Sequence, residues 1–231
     1  MAEAIVALDY PSRREALALV ESLGEAATFY KVGLELYTRA GPDLVRELRD
    51  RGKRVFLDLK LHDIPTTVAG AVRAAVELDV QLLTVHTAGG ADMMGAAADA
   101  AGGRPTLLGV TLLTSLSPTD VETVWGRSMS SLREEVVRLA TLARDSGLPG
   151  IVASPQEAEG VRRKLGPDFV ILTPGIRLAG GDTHDQARVA TPADAARAGA
   201  NYLVLGRAVT AADDPVAAME QVRAELAGVG V

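Results

Sequence analysis

The chain has 231 residues, a formal charge of −6 and a hydrophobic content of 48%, so it can bury a full core. It contains no cysteine, which excludes a disulfide framework, a thiolate nucleophile and any cysteine-ligated metal or cluster. The acidic balance argues against a general nucleic-acid surface, which would be basic. It leaves room for a small anionic ligand in a local basic pocket.

The N-terminus and the apolar runs predict where the protein resides. Residues 1–9 have neither the basic region nor the long apolar region of a signal peptide. No apolar run approaches the ~20 residues needed to span a bilayer. We therefore expect a cytoplasmic protein without a membrane partner, and the absence of cysteine suits a reducing compartment.

The first half of the chain alternates short apolar runs with amphipathic stretches. Ser12 is predicted to cap the first helix, with Glu15 at the capping-box position. The pair at 41–42 is predicted to begin the second helix, and the two threonines at 66–67 can cap the third. The predicted elements are strand 4–8, helix 13–23, strand 29–36, helix 43–51, strand 54–61, helix 67–78, strand 82–86 and helix 91–101.

The second half continues the alternation, with one additional helix and a long polar segment. Thr191 is predicted to cap a helix, and G-R-A-V-T at 206–210 is predicted to begin a helical turn. The predicted elements are strand 106–113, helices 119–125 and 131–146, strand 150–153, helix 155–165, strand 169–173, loop 179–188, helix 191–198, strand 202–205 and helix 214–227.

Eight strand–helix units with nearly continuous apolar strands predict a parallel sheet covered by helices. We therefore predict the α/β class, and within it a single (β/α)₈ TIM barrel that forms one domain over 1–231. Barrels of this kind are usually ~250 residues long, close to the length of this chain. An open doubly wound sheet is the alternative, but its glycine-rich first turn is missing, since L-D-Y-P-S stands there.

The third strand carries a dense charge cluster, in which V-F-L-D-L-K-L-H-D-I-P-T-T-V occupies 55–68. Strand alternation places Asp58 and Lys60 on one face and the leucines between them on the other. A lone D-x-K is most often a structural ion pair. Burying several charges costs several kcal/mol each unless they are paired or act in chemistry, so the cluster predicts an active site.

Other polar residues follow the predicted strands. The carboxyl ends of barrel strands meet at one rim, where active sites lie. Charges of alternating sign reach this rim from the first three strands, which is the strongest signal. His86 is more often a wall residue than a catalyst, and His62 and His184 are expected to be structural or exposed. The residues at this rim are Asp9, Lys31, Asp58, Lys60, His86, Thr114, Ser115, Ser154, Arg177, Gly206 and Arg207.

Several other chemistries are disfavoured, and the composition predicts no metal site. Zinc would need clustered histidines or cysteines, and the three histidines are scattered. Magnesium could use Asp58 and Asp63, but nearby cations compete for those carboxylates. A Schiff base at Lys60 needs a neutral amine, whereas flanking carboxylates favour the ammonium form. No G-x-S-x-G elbow signals a serine triad.

The segments after the last two strands predict a phosphate site. They read T-P-G-I-R and G-R-A-V-T, and in many barrels these loops bind phosphate. Glycine lets backbone N–H groups approach an anion, and arginine binds phosphate in a bidentate fork. The alternative is a glycine turn followed by an exposed arginine.

The sequence resembles the bacterial type of orotidine 5′-phosphate decarboxylase over nearly its whole length. The similar segments are V-A-L-D, Y-K-V-G, F-L-D-L-K-L-H-D-I-P-T-T, V-T-L-L-T-S, L-T-P-G-I-R, G-D-x-x-D-Q and L-G-R-A-V-T. The D-x-K-x-x-D core also occurs in sugar-phosphate decarboxylases and aldolases of the wider superfamily. One departure is Thr66, where many relatives have asparagine.

The resemblance implies roles for individual residues. Lys31, Asp58, Lys60 and Asp63 would form an alternating charge network without metal or cofactor. In a homodimer with shared active sites, Asp63, Ile64 and Thr67 would reach the neighbour's site. The substrate-binding residues that it implies are Asp9 and Lys31 for ribose, Thr114 for the pyrimidine, Gln186 for phosphate and base, and Arg177, Gly206 and Arg207 for the 5′-phosphate.

The resemblance implies the conversion of orotidine 5′-phosphate to UMP and CO₂, with Lys60 stabilising a carbanion and protonating carbon 6. The polar segment 179–188 is predicted to be a lid. Two alternatives remain open at this point: a metal-dependent sugar-phosphate decarboxylase or aldolase on the same barrel, and a non-catalytic phosphate-binding barrel.

Overall fold

A computed structural model describes residues 2–178 and 190–229 and shows a closed barrel of eight parallel strands. Each strand pairs with its neighbours in sequence, and the last pairs with the first. The predicted (β/α)₈ architecture is confirmed. The strands are β1 (Glu3–Ala7), β2 (Phe29–Gly33), β3 (Arg54–Leu61), β4 (Leu82–His86), β5 (Thr106–Val110), β6 (Gly150–Val152), β7 (Val170–Thr173) and β8 (Tyr202–Leu205).

Helices follow the strands and surround the barrel. Short 3₁₀ turns occur at Gly24–Ala26 and Thr87–Gly89. The helices are α1 (Arg13–Leu23), α2 (Leu34–Asp50), α3 (Pro65–Glu77), α4 (Gly90–Ala101), α5 (Pro118–Trp125), α6 (Leu132–Asp145), α7 (Pro155–Leu165), α8 (Pro192–Arg197), α9 (Arg207–Thr210) and α10 (Pro215–Ala227). No helix in the described part of the chain is both long and apolar enough to cross a membrane.

Polar side chains cap the helices at several predicted positions. The Ser12 hydroxyl accepts a hydrogen bond from the Glu15 amide at 3.2 Å, and Thr191 does the same for the amide of Asp194 at 3.1 Å. The prediction for α3 was wrong, because its cap is Ile64 and no side chain caps it. Pro65 stands at the first turn, where its fixed φ suits a helix and its missing N–H is not needed.

Two strands, β2 and β5, are each three residues shorter than predicted. β2 ends at Gly33, and residues 34–36 already belong to α2, where Leu36 is buried and Leu34 is exposed. The glycine–proline pair at 41–42 marks a kink within α2, since Gly41 has a φ of 64°. β5 ends at Val110, because Leu112 and Leu113 line a cavity above the barrel and do not extend the strand ladder.

Two apolar layers hold the barrel together. One consists of strand side chains alone and fills the barrel interior; Phe29, Phe56 and Leu172 are among its members. The other packs the outer strand faces against the helices and contains most of the buried residues. The interior layer fills the barrel below the carboxyl ends of the strands. Polar side chains inside the barrel therefore lie at those open ends.

Candidate active site

A cavity of about 340 Å³ lies at the carboxyl ends of the strands. Its apolar floor includes Phe56, Val152, Leu172 and Val204 from the barrel interior. Most of the sequence-predicted site residues contribute to its walls. These are Asp9, Lys31, Asp58, Lys60, Thr114, Arg177, Gly206 and Arg207.

Four charged side chains form a continuous alternating chain across β1, β2 and β3. Lys31 Nζ lies 2.8 Å from Asp9 Oδ1 and 4.0 Å from Asp58 Oδ2. Lys60 Nζ donates a hydrogen bond of 2.7 Å to the same Asp58 oxygen. Asp58 therefore lies between two ammonium groups, as the strand alternation predicted for Asp58 and Lys60.

The network becomes more exposed toward its ends. The side chains of Lys31 and Asp58 are 10% and 13% exposed, whereas those of Lys60 and Asp9 are 31% and 66% exposed. A buried charge is tolerated when partners of opposite sign offset its desolvation. Lys31 and Asp58 satisfy this condition for each other, while Lys60 retains access to the cavity.

The backbone of β3 is irregular where it presents Lys60. The β3–β4 register shifts between Leu57 and Leu61, and Lys60 has a φ of 49°. A bulge of this kind can re-aim a side chain next to an active site. Strand alternation thus predicted the correct side for Lys60 but not the left-handed backbone that carries it.

Sequence reasoning missed Thr84 of β4. Its hydroxyl donates to Asp58 Oδ1 at 2.9 Å and accepts the Lys60 amide at 2.9 Å. The available signal was a hydroxyl among the apolar residues of L-L-T-V-H. Thr84 lies two residues after Leu82, so both side chains point to the barrel interior.

The second positive region of the cavity comes from the chain after β7 and β8. Pro174, Gly175 and Arg177 line it after β7, and Gly206 and Arg207 line it after β8. The Arg177 guanidinium also donates to the carbonyl of Ile176 at 2.9 Å, which fixes part of its orientation. An anion in the cavity would meet two guanidinium groups at this edge and the ammonium of Lys60 at the other.

Some predicted residues do not line this cavity. Asp63, Ile64 and Thr67 are exposed, and Asp63 accepts a hydrogen bond of 2.7 Å from the Ile64 amide. Ser154 is buried and donates to Glu157 within the first turn of α7. Ser115 is exposed outside the cavity lining.

The predicted binding residue Gln186, the predicted lid 179–188 and His184 lie outside the described residues.

Two histidines pack beside the charge network without lining the cavity. The His62 and His86 rings have centroids 5.4 Å apart. Burial lowers the pKa of His86, with smaller contributions in the same direction from His62 and Lys60, and Asp58 opposes the shift. A half-buried imidazole with a lowered pKa is neutral at pH 7, which agrees with the expectation that His86 is not a catalyst.

Among residues 2–178 and 190–229, no group of three or more His, Asp or Glu side chains is placed to hold a metal ion. The carboxylates of Asp9 and Asp58 are instead within ion-pair distance of lysine ammonium groups.

Comparison with known proteins places these features in a family. Residues 3–222 match the model described as the orotidine 5′-phosphate decarboxylase / HUMPS family. A Moorella thermoacetica protein named orotidine 5′-phosphate decarboxylase is 50% identical over 230 residues, covering 96% of this chain and 91% of that protein. A Vibrio parahaemolyticus protein of the same name is 48% identical over 227 residues, covering 96% and 97%.

Solved structures agree with the sequence comparison. The structure of orotidine 5′-phosphate decarboxylase from Lactobacillus acidophilus has a TM-score of 0.87 at 36% identity, covering 98% of this chain and 99% of that one. An uncharacterized conserved protein from Geobacillus kaustophilus has a TM-score of 0.84, also at 36% identity, covering 97% and 100%.

Proposed function

The chain belongs to the orotidine 5′-phosphate decarboxylase / HUMPS family, and we propose that it converts orotidine 5′-phosphate to UMP and CO₂. This is the last step of de novo pyrimidine nucleotide synthesis. The observation that carries the proposal is the alternating chain of Asp9, Lys31, Asp58 and Lys60 in a cavity that also contains two arginines.

Loss of CO₂ breaks the bond between carbon 6 and the carboxylate and leaves the electron pair on carbon 6. This carbanion needs a cation held where the negative charge develops, because the transition state is stabilised by charges already in position. Lys60 meets this need as an ammonium, since its Nζ lies 2.7 Å from Asp58 Oδ2. Lys60 then donates its proton to carbon 6, and its amine regains a proton from water.

The other charged residues hold the Lys60 ammonium in the cavity. Asp58 pairs with Lys60 directly, and Lys31 lies 4.0 Å from the same carboxylate oxygen. Asp58 lines the same cavity, so in the proposal it would also face the substrate carboxylate and make the ground state less favourable. Asp9 and Lys31 hold the ribose hydroxyls, and Thr114 contacts the pyrimidine.

The 5′-phosphate binds at the opposite edge, between Arg177, Gly206 and Arg207. Two guanidinium groups at one edge suit a phosphate dianion, because each can form a charge-assisted bidentate pair. Binding energy from this remote group can order the site for the reacting carbon. Gln186 and the lid over 179–188 complete this end in the proposal.

A second copy of the chain completes the site. Asp63, Ile64 and Thr67 lie outside the chain's own cavity, and Ile64 is 64% exposed, so these side chains are available to a neighbour. We infer a homodimer in which Asp63 reaches the neighbour's Lys60 and gives it a second carboxylate. The chain then acts as one catalytic domain, and its lack of cysteine suits the cytoplasm.

The test of the proposed reaction is Lys60→Ala, assayed by the loss of orotidine 5′-phosphate absorbance. Removing the ammonium should lower kcat by at least ~10³-fold, because it removes both the electrostatic stabiliser and the proton donor. Lys164→Ala, an exposed lysine on α7, is the matched control and should retain wild-type activity. Near-normal turnover by Lys60→Ala would exclude the proposed role.

The same assay separates the two alternatives. Full activity in EDTA, with no turnover of keto-sugar phosphates, distinguishes the proposal from a metal-dependent sugar-phosphate decarboxylase or aldolase. A non-catalytic phosphate-binding barrel would bind the nucleotide and release no CO₂. Turnover abolished by EDTA and restored by a divalent metal would contradict the cofactor-free mechanism.

A further inference from the structure

Thr84 occupies a position in β4 from which its hydroxyl joins two neighbouring members of the charge network, Asp58 and Lys60. It is fully buried and has the same strand parity as Leu82, which belongs to the barrel interior. A threonine hydroxyl has one hydrogen to donate and lone pairs to accept with. Thr84 donates to Asp58 Oδ1 and accepts from the amide of Lys60, each at 2.9 Å.

The hydrogen bond to Asp58 sets the rotation of its carboxylate. With Oδ1 held by Thr84, Oδ2 faces Lys60 Nζ at 2.7 Å and Lys31 Nζ at 4.0 Å. Without this restraint, the carboxylate could rotate to angles at which neither oxygen faces both lysines. The hydroxyl thus fixes the rotation angle at which one oxygen faces both cations.

The hydrogen bond from Lys60 fixes the backbone that carries its ammonium group. The register between β3 and β4 shifts across this stretch, and Lys60 has a φ of 49°. An unusual backbone conformation persists only when its surroundings hold it. The Lys60 amide is bonded to the side chain of Thr84, so the same hydroxyl holds the irregular strand and the carboxylate that faces Lys60.

We propose that Thr84 is a positioning residue for decarboxylation, acting through Asp58 and Lys60 without touching the substrate. This inference rests on the proposed function. Thr84 is absent from the cavity lining, whereas Asp58 and Lys60 are both present in it. Its hydroxyl therefore controls kcat more than substrate affinity, most of which comes from the phosphate end.

The test compares Thr84→Val with Thr84→Ser. Valine keeps the shape and removes both hydrogen bonds, so kcat should fall by about 10- to 100-fold, as expected for a small misplacement of reacting groups. KM should stay within about threefold, since the arginine edge is unchanged. Serine retains the hydroxyl and should keep kcat within about threefold of wild type.

Thr87→Val is the matched control for the loss of a buried hydroxyl. Thr87 is buried, and its hydroxyl donates to the carbonyl of Val110 at 2.9 Å, outside the charge network. We expect Thr87→Val to retain kcat, even if its thermal unfolding shifts as much as that of Thr84→Val. If Thr84→Val does not fold, Thr84→Ala replaces it under the same criteria.

Three results would overturn the inference: a kcat for Thr84→Val within threefold of wild type, an equal loss in Thr84→Ser, or an equal loss in Thr87→Val. Wild-type protein and Lys60→Ala are assayed alongside. Absence of turnover by wild type would refute the proposed function itself. Wild-type turnover that depends on Lys60 but not on the Thr84 hydroxyl would refute only the positioning role.

Discussion

Lys31 shows how a single buried charge is stabilised at this site. Its side chain is buried, yet its ammonium lies within ion-pair distance of Asp58 on β3 and of Asp9 just after β1. Space around it is also restricted, because a Cβ added at Gly33 would lie 3.1 Å from its Nζ. The absence of a side chain at Gly33 leaves Lys31 the room to lie between Asp9 and Asp58.

Arg207→Ala tests the proposed phosphate edge. Hydrogen bonds to a charged group are worth about 1.5–3 kcal/mol, so KM for orotidine 5′-phosphate should rise by roughly 10- to 100-fold. Steady-state kinetics with the nucleotide and with orotidine, which lacks the phosphate, provide the measurement. The variant and wild type should turn over orotidine equally slowly.

Arg197→Ala is the control, since Arg197 is exposed on α8 and pairs with Asp194 away from the cavity. An unchanged KM for the nucleotide in Arg207→Ala would contradict the phosphate role, as would an equal loss with orotidine.

Charged residues of the site were predictable from sequence because each follows an apolar run. Asp9, Lys31 and Arg207 are easily noticed, since ionised groups next to buried strands need a reason to be there. Thr84 was not noticed, because a hydroxyl within a strand is common and is readily satisfied by a backbone carbonyl. Its importance arises from β4 lying beside β3, which is information about strand pairing in three dimensions.

At the scale of the element, the irregular end of β3 has an energetic consequence. A positive φ costs an L-residue about 1–2 kcal/mol, whereas glycine adopts it freely. Lys60 has such a φ, at 49°. Lys60→Gly and Lys60→Ala both lose the ammonium and differ only in the Cβ. We expect the glycine variant to be more stable than the alanine variant by about 1 kcal/mol, with both inactive.

Urea denaturation of the two variants measures this difference directly. The matched pair at Val76, an exposed position within α3, is Val76→Gly and Val76→Ala, where helix propensity predicts the opposite order. If Lys60→Ala is as stable as Lys60→Gly, the left-handed backbone at Lys60 carries no strain.

The boundaries of helices and strands were predictable where the residue types of the sequence change abruptly. β3, β4, β8, α1 and α7 begin and end at the predicted residues. β2 and β5 were predicted too long, because apolar residues continue beyond both strands for other reasons. After Gly33 they belong to a helix, and after Val110 they line the cavity. Periodicity over three residues cannot separate these cases.

At the scale of the whole molecule, the inferred shared site predicts complementation between inactive subunits. Lys60→Ala lacks the proposed proton donor, and Asp63→Ala lacks the carboxylate that the proposal offers to the neighbour. A mixed dimer contains one site with both defects and one site with neither. Mixing the variants after dissociation should therefore recover up to about a quarter of wild-type activity, given random pairing in equal amounts and one intact site in each mixed dimer.

Activity measured against mixing ratio provides the test, and each variant mixed with itself is the control. Failure of mixed dimers to regain activity, with dimer formation verified by native mass spectrometry, would contradict a site built from two chains. The homodimer was predicted by resemblance, because one chain's geometry contains no second subunit to examine.

The position of the charge network across β1, β2 and β3 also links catalysis to assembly. One end of the network, Asp9, directly follows β1, the strand that closes the barrel by pairing with β8 as well as with β2. Helices can form from local contacts, but this seam joins residues about 200 positions apart, as in Glu3 opposite Tyr202. A collapsed chain with an open seam would therefore look folded by helical signal and still be unable to turn over substrate. Recovery of activity during refolding therefore requires ring closure, the pairing of strands from the two ends of the chain.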